Sequence, residues 1–588
     1  MPRTAIAASA LIALGSLALP AQADAQRIRL ERTVVFSQVA TAPGTETSGN
    51  ETRLGPEGDA DMKELIRGSI SSARVSSAHV PRPADLGVAG PMGSSGFSGI
   101  SHRDQRLADG GNQFSIEPPD QALAVGNGFV LDGVNLALRV RHADGSAALP
   151  VVSLNRFFVG DSAIVRSIPR FGRFVSDPKA YYDAVHQRWF ATALTIATNP
   201  NTGALLPESD IRIAVSQTAD PTGAWRIYTI DTTNGSGSTP RHPGCPCFGD
   251  QPLLGADAHG LYISTNEFPI FNSGFNGAQI YAVSLLDLIN GIDPPRLKAF
   301  DGLPLAEGPA YTVQPAIAPP GVAYGGTAWF MSALDFTGTV DDRIAVWALT
   351  NTGWLSTGTG PQPALTSRVI QSQSYGQPPD AQQRPGPLPL ADLIAAGAFG
   401  KPASEHLPLI AGNDDRMQQV MFDGTYLWSG LNTVVKPANG PTRVGLAYFI
   451  VRPALGTSRL SASIAGQGYV SVNRNSVLFP AVAVNSEGLG AIGFTLMGEG
   501  FYPSAAYVRL SLSTPPDTVR IAAAGAGPED GFTGYPSLGG SRAARWGDYS
   551  AAAVDEAGTL WFATEFIPSV TNRTVLANWG TFIGRITP

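Results

Sequence analysis

The stretch FGDQPLLGADAHGLYIST, residues 248–265, decides the fold, because its pattern recurs along the chain. The pattern is an acidic or polar turn, an apolar run, a second turn and then a strand rich in aromatic residues. Such recurrence indicates one supersecondary unit that is repeated, with neighbouring units burying each other's apolar faces. The seven copies lie at residues 118–131, 176–194, 248–265, 313–332, 413–430, 479–496 and 545–566.

The spacing of the copies indicates the architecture. They recur about every 71 residues between Asp120 and Asp548, which exceeds the roughly 40 to 50 residues of compact propeller repeats. Each unit therefore carries long loops, and loops are where function tends to lie. Further strand-like runs, such as 211–230, follow each copy and complete an antiparallel sheet. The sequence predicts an all-β fold over residues 112–588, a seven-bladed β-propeller of four-stranded antiparallel blades.

The first 111 residues differ in composition from the repeats. Residues 1–25 contain Arg3, an apolar stretch over 5–19 and small residues at 21, 23 and 25, a pattern typical of secretory signal peptides. That stretch is shorter than the roughly 20 residues that a membrane span needs. Residues 26–111 are rich in Gly, Ser, Thr, Ala and Pro, so we expect a flexible leader with one transient helix at 59–72. Cleavage near Ala25 would leave a secreted or periplasmic protein.

Overall composition limits the classes of partner. The formal net charge of −7 over 588 residues provides no basic field, which argues against nucleic acid. No later apolar stretch is long enough to span a membrane, and composition does not decide the oligomeric state. One interval, from Gln314 to Asp414, is longer than the others and contains a Pro- and Gln-rich segment. We predict an insertion at 361–410 with a helical turn at 390–396, either a lid or decoration.

Acidic residues recur near the start of five copies. Equivalent positions of a propeller come to one level around its channel, so one prediction is a carboxylate ring that binds a polar ligand or a structural cation such as calcium. The alternative is that each side chain caps a turn through its own backbone. The five residues are Asp120, Asp177, Asp250, Asp414 and Asp548.

The densest polar cluster is RWGDYS at residues 545–550. Strand alternation places Trp546 and Asp548 on one face and Arg545 on the other. A tryptophan beside a carboxylate suits a sugar ring, and Arg416 adds a guanidinium that can pair with an anionic sugar. The same cluster is equally suited to locking the last blade into a closed ring.

Cys245 and Cys247 are the only two cysteines. Outside the cytoplasm they would tend to oxidise, so a disulfide is the first expectation. Free thiols, or a metal site with His242 and Asp250, are the alternatives. The spacing matches no established zinc pattern, so we predict no metal ligand set and no cofactor beyond the structural cation above.

Four runs carry a resemblance to a known family: SDPKAYYDAVHQRWF, RIAVSQTADPTGAWRIYTI, FGDQPLLGADAHGLYISTNEF and RWGDYSAAAVDEAGTLWFATEF. They resemble a family of mostly uncharacterised secreted bacterial β-propeller proteins with DP…YD…RWF, SQTxDPTGxW and RWGDYS motifs. The resemblance covers roughly residues 118–588 and implies the propeller fold but no catalytic residues. Family members often have cysteines near the second and last repeats, where this chain has Ser and Ala.

The sequence leaves two main functions open. One is a binding or scaffold module for an extracellular polysaccharide or protein. The alternative is an extracellular carbohydrate-active hydrolase or lyase with Asp177, Asp250, Asp548 and Arg416 at the channel mouth, so whether the chain is an enzyme is undecided. A purely structural role at the cell surface is a third hypothesis. The runs FDGTYLW and VDEAGTLW approach an Asp box, which forms turns and so argues for fold rather than catalysis.

Overall fold

The structure of the chain is a computed structural model. It describes residues 27–46, 79–90, 95–168, 170–234, 242–306, 308–322, 325–334, 340–438, 440–456, 459–569 and 571–587. The expected signal peptide at 1–25 and the helix-like run at 59–72 lie outside these residues. The described chain is all-β, as predicted, and its helices are short. These helices are Phe36–Val39, His102–Leu107, Leu285–Asn290, Gly353–Thr357 and Pro389–Ala395.

The longer strands pair in chain order as antiparallel units, which we number I to VII. Unit I contains Ala122–Gly126, Phe129–Val134, Ala137–His142 and Val152–Ser153. Unit II contains Phe174–Asp183, Arg188–Thr198, Leu205–Ser216 and Ala224–Asp231. Unit III contains Cys247–Ala256, Gly260–Pro269, Ala278–Ser284 and Leu297–Phe300. Unit IV contains Gln314–Ile317, Thr327–Ser332, Val340–Thr350 and Ala364–Gly376.

The remaining units follow the same order. Unit V contains Val420–Phe422, Leu427–Val435, Arg443–Leu455 and Leu460–Val470. Unit VI contains Asn475–Val484, Gly490–Gly498, Ser504–Leu510 and Thr518–Ala523. Unit VII contains Ala551–Val554, Leu560–Phe566 and Gly580–Ile586. Two-residue strand pairs join Ile164–Val165 to Arg170–Phe171, Pro304–Leu305 to Gly308–Pro309, and Leu409–Ile410 to Ala543–Ala544.

Three segments of the expected leader are strands of these units. Ile28–Val35 pairs antiparallel with the last strand of unit II, and Gly87–Ala89 pairs parallel with the last strand of unit VI. Ser95–Ser101 pairs antiparallel with Gly580–Ile586 and so provides unit VII with a fourth strand. The described parts of the leader are therefore ordered, which corrects the expectation of a flexible segment. The reason is tertiary: the outer strand of each unit offers unpaired backbone groups, and these short segments satisfy them.

The units pack against one another in sequence order through their first strands. The first strand of each unit contacts that of the next, and Ala551–Val554 of unit VII contacts Ala122–Gly126 of unit I. Parallel bridges join the first strands of units III, IV and V. In the described chain, hydrogen bonds do not join the units into one closed sheet. Apolar side chains fill the spaces between units, for example Phe190, Ile213, Ile263 and Tyr281.

The polar residues at the start of the sequence copies coincide with irregularities of the backbone. Register shifts interrupt the first strands of units II, III and VI, after Ser176, Asp250 and Leu478. A residue with positive φ lies at this point in six units, and Gly547 (φ 124°) lies there in unit VII. Asp and Asn tolerate this backbone better than most residues, which explains three of the six but not the Gln, Thr and Phe among them. The six residues are Asp120, Asp177, Gln251, Thr312, Asn413 and Phe479.

The longest interval is only partly an insertion. Ala364–Gly376 is the fourth strand of unit IV, so the first part of the predicted insertion at 361–410 is instead sheet. The helix Pro389–Ala395 lies at the predicted helical turn. We keep the name insertion for residues 377–410. Of the helices in the described residues, none has the length and apolar character needed to cross a membrane.

The two Asp-box-like runs form turns, as their pattern predicts. Asp423 Oδ1 accepts hydrogen bonds from the backbone N–H groups of Thr425 (2.8 Å) and Tyr426 (2.7 Å). Its second oxygen accepts from the indole of Trp428 at 2.8 Å. Asp555 repeats the arrangement and binds the indole of Trp561 at 2.9 Å. Each carboxylate therefore fixes a turn and orients a buried tryptophan.

Candidate functional site

The five recurrent aspartates come together where the first strands of the units begin. All five are at least nine-tenths buried, with exposures between 1% for Asp120 and 8% for Asp548. Burial, together with the charges of four of them, raises the pKa of the Tyr549 phenol well above its ordinary value. We call this group the polar layer, and it consists of Asp120, Asp177, Asp250, Asp414, Asp548, Lys179, Arg416 and Tyr549.

The carboxylates of the layer bind neighbouring units. Asp120 Oδ1 accepts from the backbone N–H of Asp548 at 2.6 Å, which links units I and VII. Asp177 Oδ2 accepts from the N–H of Gln251 at 3.1 Å, which links units II and III. Asn135 donates to Asp120 Oδ2 at 2.7 Å. The layer is therefore neither a ring of free carboxylates nor a set of aspartates that cap only their own turns.

Basic side chains balance much of the negative charge. Arg416 binds Asp414 through two N–H groups at 2.7 and 2.8 Å and donates a third to Gln251 Oε1 at 2.7 Å. Arg545 lies 3.2 Å from Asp548, and the Lys179 ammonium lies 2.8 Å from the centroid of the Tyr549 ring. Because Arg416, Arg545 and Lys179 already occupy the layer, the recurrent aspartates do not present an open cation site.

Two groups of the layer change charge near neutral pH. Burial, with the charge of Asp548 next, raises the pKa of Asp120 to about 7. Burial lowers the pKa of Lys179 to about 7, although the charges of Asp120, Asp177 and Asp548 oppose this. The carboxylates of Asp414 and Asp548 form ion pairs with Arg416 and Arg545, respectively. The layer therefore places a carboxyl of raised pKa, Asp120, beside two carboxylates that are paired with arginines, and acid–base catalysis requires carboxyls in such different environments.

Trp546 does not offer a sugar platform. Its side chain is 1% exposed and its indole donates to Thr495 Oγ1 at 3.0 Å. It packs with Phe479 and Trp579 in an apolar cluster. The alternation expected for RWGDYS fails because residues 545–550 are not a regular strand.

Two cavities lie along the first strands. One, of about 30 Å³, borders the polar layer and is lined by Lys179, Gln314 and Gln419. The other, of about 110 Å³, lies at the far end of the first strands; we call it the mouth cavity, and it is lined in part by Tyr181, Tyr182, Asp183, His186 and Asp257. His186 Nδ1 lies 2.5 Å from Asp183 Oδ2 at this cavity.

Three glutamates near the layer were not found from the sequence. Glu117 precedes unit I, Glu529 lies between units VI and VII, and Glu565 is the last but one residue of the second strand of unit VII. All three are at most 2% exposed. Glu117 and Glu529 lie outside the repeated pattern, so repetition did not reveal them. Glu565 lies inside the last copy, and aligning the copies would have revealed it.

Cys245 and Cys247 form a disulfide with their Cα atoms 4.4 Å apart. Glu267 lies beside it: its Oε1 is 3.9 Å from Cys245 Sγ and 2.7 Å from His242 Nδ1. The hydrogen bond that the His242 ring donates to the Glu267 carboxylate raises the pKa of His242, against the effect of partial burial. Because disulfide sulfurs are not thiolates, this group lacks the ligands that a zinc site would take from cysteine.

Comparison with known proteins gives only distant likenesses. No family model and no curated protein sequence matches the chain. An arabinanase of Penicillium chrysogenum in complex with arabinobiose is 12% identical, with 72% of this chain and 99% of that chain covered and a TM-score of 0.30. The arabinofuranosidase Arb93A of Fusarium graminearum is 7% identical, with coverages of 70% and 92% and a TM-score of 0.30.

The endosialidase of phage phi92 is 10% identical, with a TM-score of 0.25. The alignment covers 70% of this chain but 66% of the endosialidase, slightly less than two thirds of its length. All three proteins are carbohydrate-active enzymes by name. Likeness at these TM-scores bears neither on the blade count nor on the activity of this chain.

Proposed function

We propose that units I to VII are the blades of a seven-bladed β-propeller and that the protein is an extracellular carbohydrate-active hydrolase. The contact between the first strands of units VII and I supports the propeller, as does the fourth strand that Ser95–Ser101 adds to unit VII. A terminal segment that completes the last blade joins the two ends of the ring. The secreted location rests on the expected signal peptide.

The observation that carries the hydrolase proposal is the convergence, in one buried layer, of Asp120, whose pKa is raised, and Asp548, which is paired with Arg545 and donates its backbone N–H to Asp120 Oδ1. Glycoside hydrolysis needs one protonated carboxyl as acid and one ionised carboxylate as base or nucleophile. Asp120, with its pKa raised to about 7, is suited to the acid. Asp548, paired with Arg545 at 3.2 Å, is suited to the ionised partner.

The space beside the polar layer limits the route by which a substrate can enter. The 30 Å³ cavity that borders the layer has room for no more than a water or two, so on this proposal a sugar reaches the layer by another route. Gln383 of the insertion donates to the carbonyl of Pro408 (2.9 Å) and accepts from the N–H of Glu529 (2.8 Å), which holds the insertion against the link between units VI and VII. On this proposal the insertion is a lid over the site.

The test is turnover by Asp120→Asn and Asp548→Asn variants on a panel of neutral and acidic polysaccharides. Loss of the acid should lower kcat by at least about 100-fold, with urea denaturation showing that each variant is folded. Asp517→Asn, at an exposed carboxyl paired only at 4.0 Å with Arg520, is the matched control and should keep the wild-type rate. The hydrolase proposal fails if the folded wild-type protein cleaves no member of the panel, or if both layer variants keep wild-type kcat.

A second function, glycan binding without hydrolysis, is favoured by the mouth cavity. Tyr181 and Tyr182 provide aromatic surface there, and Asp183 with His186 provides polar atoms. In this case the layer is structural and its carboxylates hold units together. Tyr181→Ala would then reduce retention on a glycan column, whereas Asp548→Asn would not change the retained fraction of folded protein.

A further inference from the structure

Lys179 differs from the arginines of the polar layer in its contacts. Within the described residues, no hydrogen bond or ion pair holds its amine group, whereas Arg416 and Arg545 each pair with an aspartate. The Lys179 nitrogen lies instead 2.8 Å from the centroid of the Tyr549 ring. The residue is also intermediate in exposure, although the aspartates around it are buried. The amine therefore has accessible surface and no acceptor that holds it in place.

The space beside Lys179 is the cavity of about 30 Å³, which we call the inner cavity. Along the first strand of unit II, Lys179 lines the inner cavity, and Tyr181 and Asp183 line the mouth cavity. The first strands of the other units contribute in the same order, so the two cavities follow one another along these strands. Four residues line both cavities, namely Leu123, Ala180, Ile317 and Ala552. The amine therefore lies at the inner end of a passage that begins at the mouth cavity.

The size of the passage limits what can reach the amine. The inner cavity has room for about one or two atoms of the size of a water oxygen, which suits a carbonyl group but not a sugar ring. The rest of a ligand must extend between apolar side chains into the mouth cavity of about 110 Å³. Gln314 also lines the inner cavity and offers an amide to a hydroxyl beside the carbonyl. These dimensions select a short, unbranched chain with a terminal reactive group.

The charges around Lys179 select the chemistry of that group. Burial lowers the pKa of Lys179 to about 7, although the charges of Asp120, Asp177 and Asp548 oppose this. A neutral amine is a nucleophile, and near neutral pH much of this amine is neutral. A carbamate would place a new anion beside three aspartates, and an amide would remove their positive neighbour. An imine accepts a proton and stays cationic, so an aldehyde is the electrophile that fits these surroundings.

We propose that Lys179 binds small unbranched aldehydes covalently, as a Schiff base formed at the inner end of the two cavities. The amine nitrogen attacks the carbonyl carbon, a C–N bond forms, and the carbonyl π electrons pass to the oxygen. Both amine hydrogens then leave with that oxygen as water, and a C=N bond remains. The imine nitrogen takes a proton from solvent, so the cation beside the aspartates is preserved. The step needs no oxidant, reductant or metal and does not depend on glycan hydrolysis.

The experiment is reductive trapping of this imine. The mature protein is incubated at neutral pH with glycolaldehyde and sodium cyanoborohydride, and hydroxyethylated lysines are located by peptide mass spectrometry. At neutral pH about half of an amine with a pKa near 7 is neutral, against about one in a thousand for an ordinary lysine, so Lys179 should react at least about tenfold faster than the exposed Lys401. In urea, where the fold is lost, the two lysines should react at similar rates.

Two variants and a second probe locate the reaction. Lys179→Arg keeps the positive charge and should lose the fast adduct, whereas Lys401→Arg is the matched control and should keep it. Trimethylacetaldehyde carries the same aldehyde group on a branched carbon that the inner cavity does not admit. It should therefore label Lys401 but not Lys179.

Three results would overturn the proposal. Lys179 of the folded wild-type protein would react no faster than Lys401, trimethylacetaldehyde would label Lys179 as fast as glycolaldehyde does, or the preference for Lys179 would persist in urea. All three are measured on the wild-type protein, so poor folding of Lys179→Arg does not remove the test. Because none of these readouts depends on turnover of a glycan, failure of the hydrolase proposal leaves them unchanged.

Discussion

The substitution Ile100→Ala tests whether the strand Ser95–Ser101, which precedes unit I in the chain, stabilises unit VII. Ile100 lies on Ser95–Ser101, is fully buried, and packs in a cluster with Val134, Met497 and Trp579. Ile100→Ala removes three carbons, each worth about 0.8 kcal/mol of transfer free energy. With the cavity that remains, we expect the free energy of unfolding to fall by about 2–5 kcal/mol. Thr581 Oγ1 donates to the carbonyl of Ile100 at 2.9 Å, a bond that the substitution leaves in place.

The assay is urea denaturation followed by tryptophan fluorescence. The midpoint should fall without a change in the slope, because the substitution alters stability rather than the surface exposed on unfolding. Ile168→Ala, at a side chain that is 65% exposed, is the control and should change stability by less than about 0.5 kcal/mol. If Ile100→Ala has as small an effect as the control, the strand does not contribute to the folded core and the reasoning is wrong.

Two further predictions follow from the buried polar groups. Stability should fall as pH rises from about 4 through 7, because raised pKa values near 7 for Asp120 and Glu117 mean that the native state binds more protons than the unfolded chain. Above pH 7 the lowered pKa of Lys179 should make stability rise toward pH 10; a flat urea midpoint across pH 4–10 would contradict both. Asp555→Ala should cost about 1–3 kcal/mol, because two N–H groups and the Trp561 indole lose their acceptor; an unchanged thermal unfolding midpoint would contradict this.

The repeated units could be recognised from sequence because the signal is local. Each copy contains its own turn and its own alternation of apolar residues, and the seven copies coincide with the first strand pairs of units I to VII. The same holds for the turns at Asp423 and Asp555, in which one side chain serves backbone groups two to four residues away. The candidate functional site could be predicted from the sequence only in part. The aspartates were identified, and Asp414 and Asp548 have arginine partners two and three positions away. The bonds between units could not be predicted, because the residues that they join lie up to 428 positions apart, as for Asp120 and Asp548.

Composition gave the wrong structural expectation for segments whose conformation depends on residues far away in the chain. Ile28–Val35 and Ser95–Ser101 look like a polar leader, and they become strands because units II and VII offer open edges. Glu117 and Glu529 lie outside the repeated pattern, and Glu565 is visible only when the copies are aligned; the burial that the three share is a property of the folded chain.

The amino-acid sequence by itself determined the all-β class, the repeated unit and the positions of its turns, because these depend on interactions between near neighbours. Only the tertiary structure decided which carboxylates meet, which are paired with arginine, and which are buried without a donor. Those properties depend on how distant units pack and exclude water, and a one-dimensional pattern does not encode the distance between two charges.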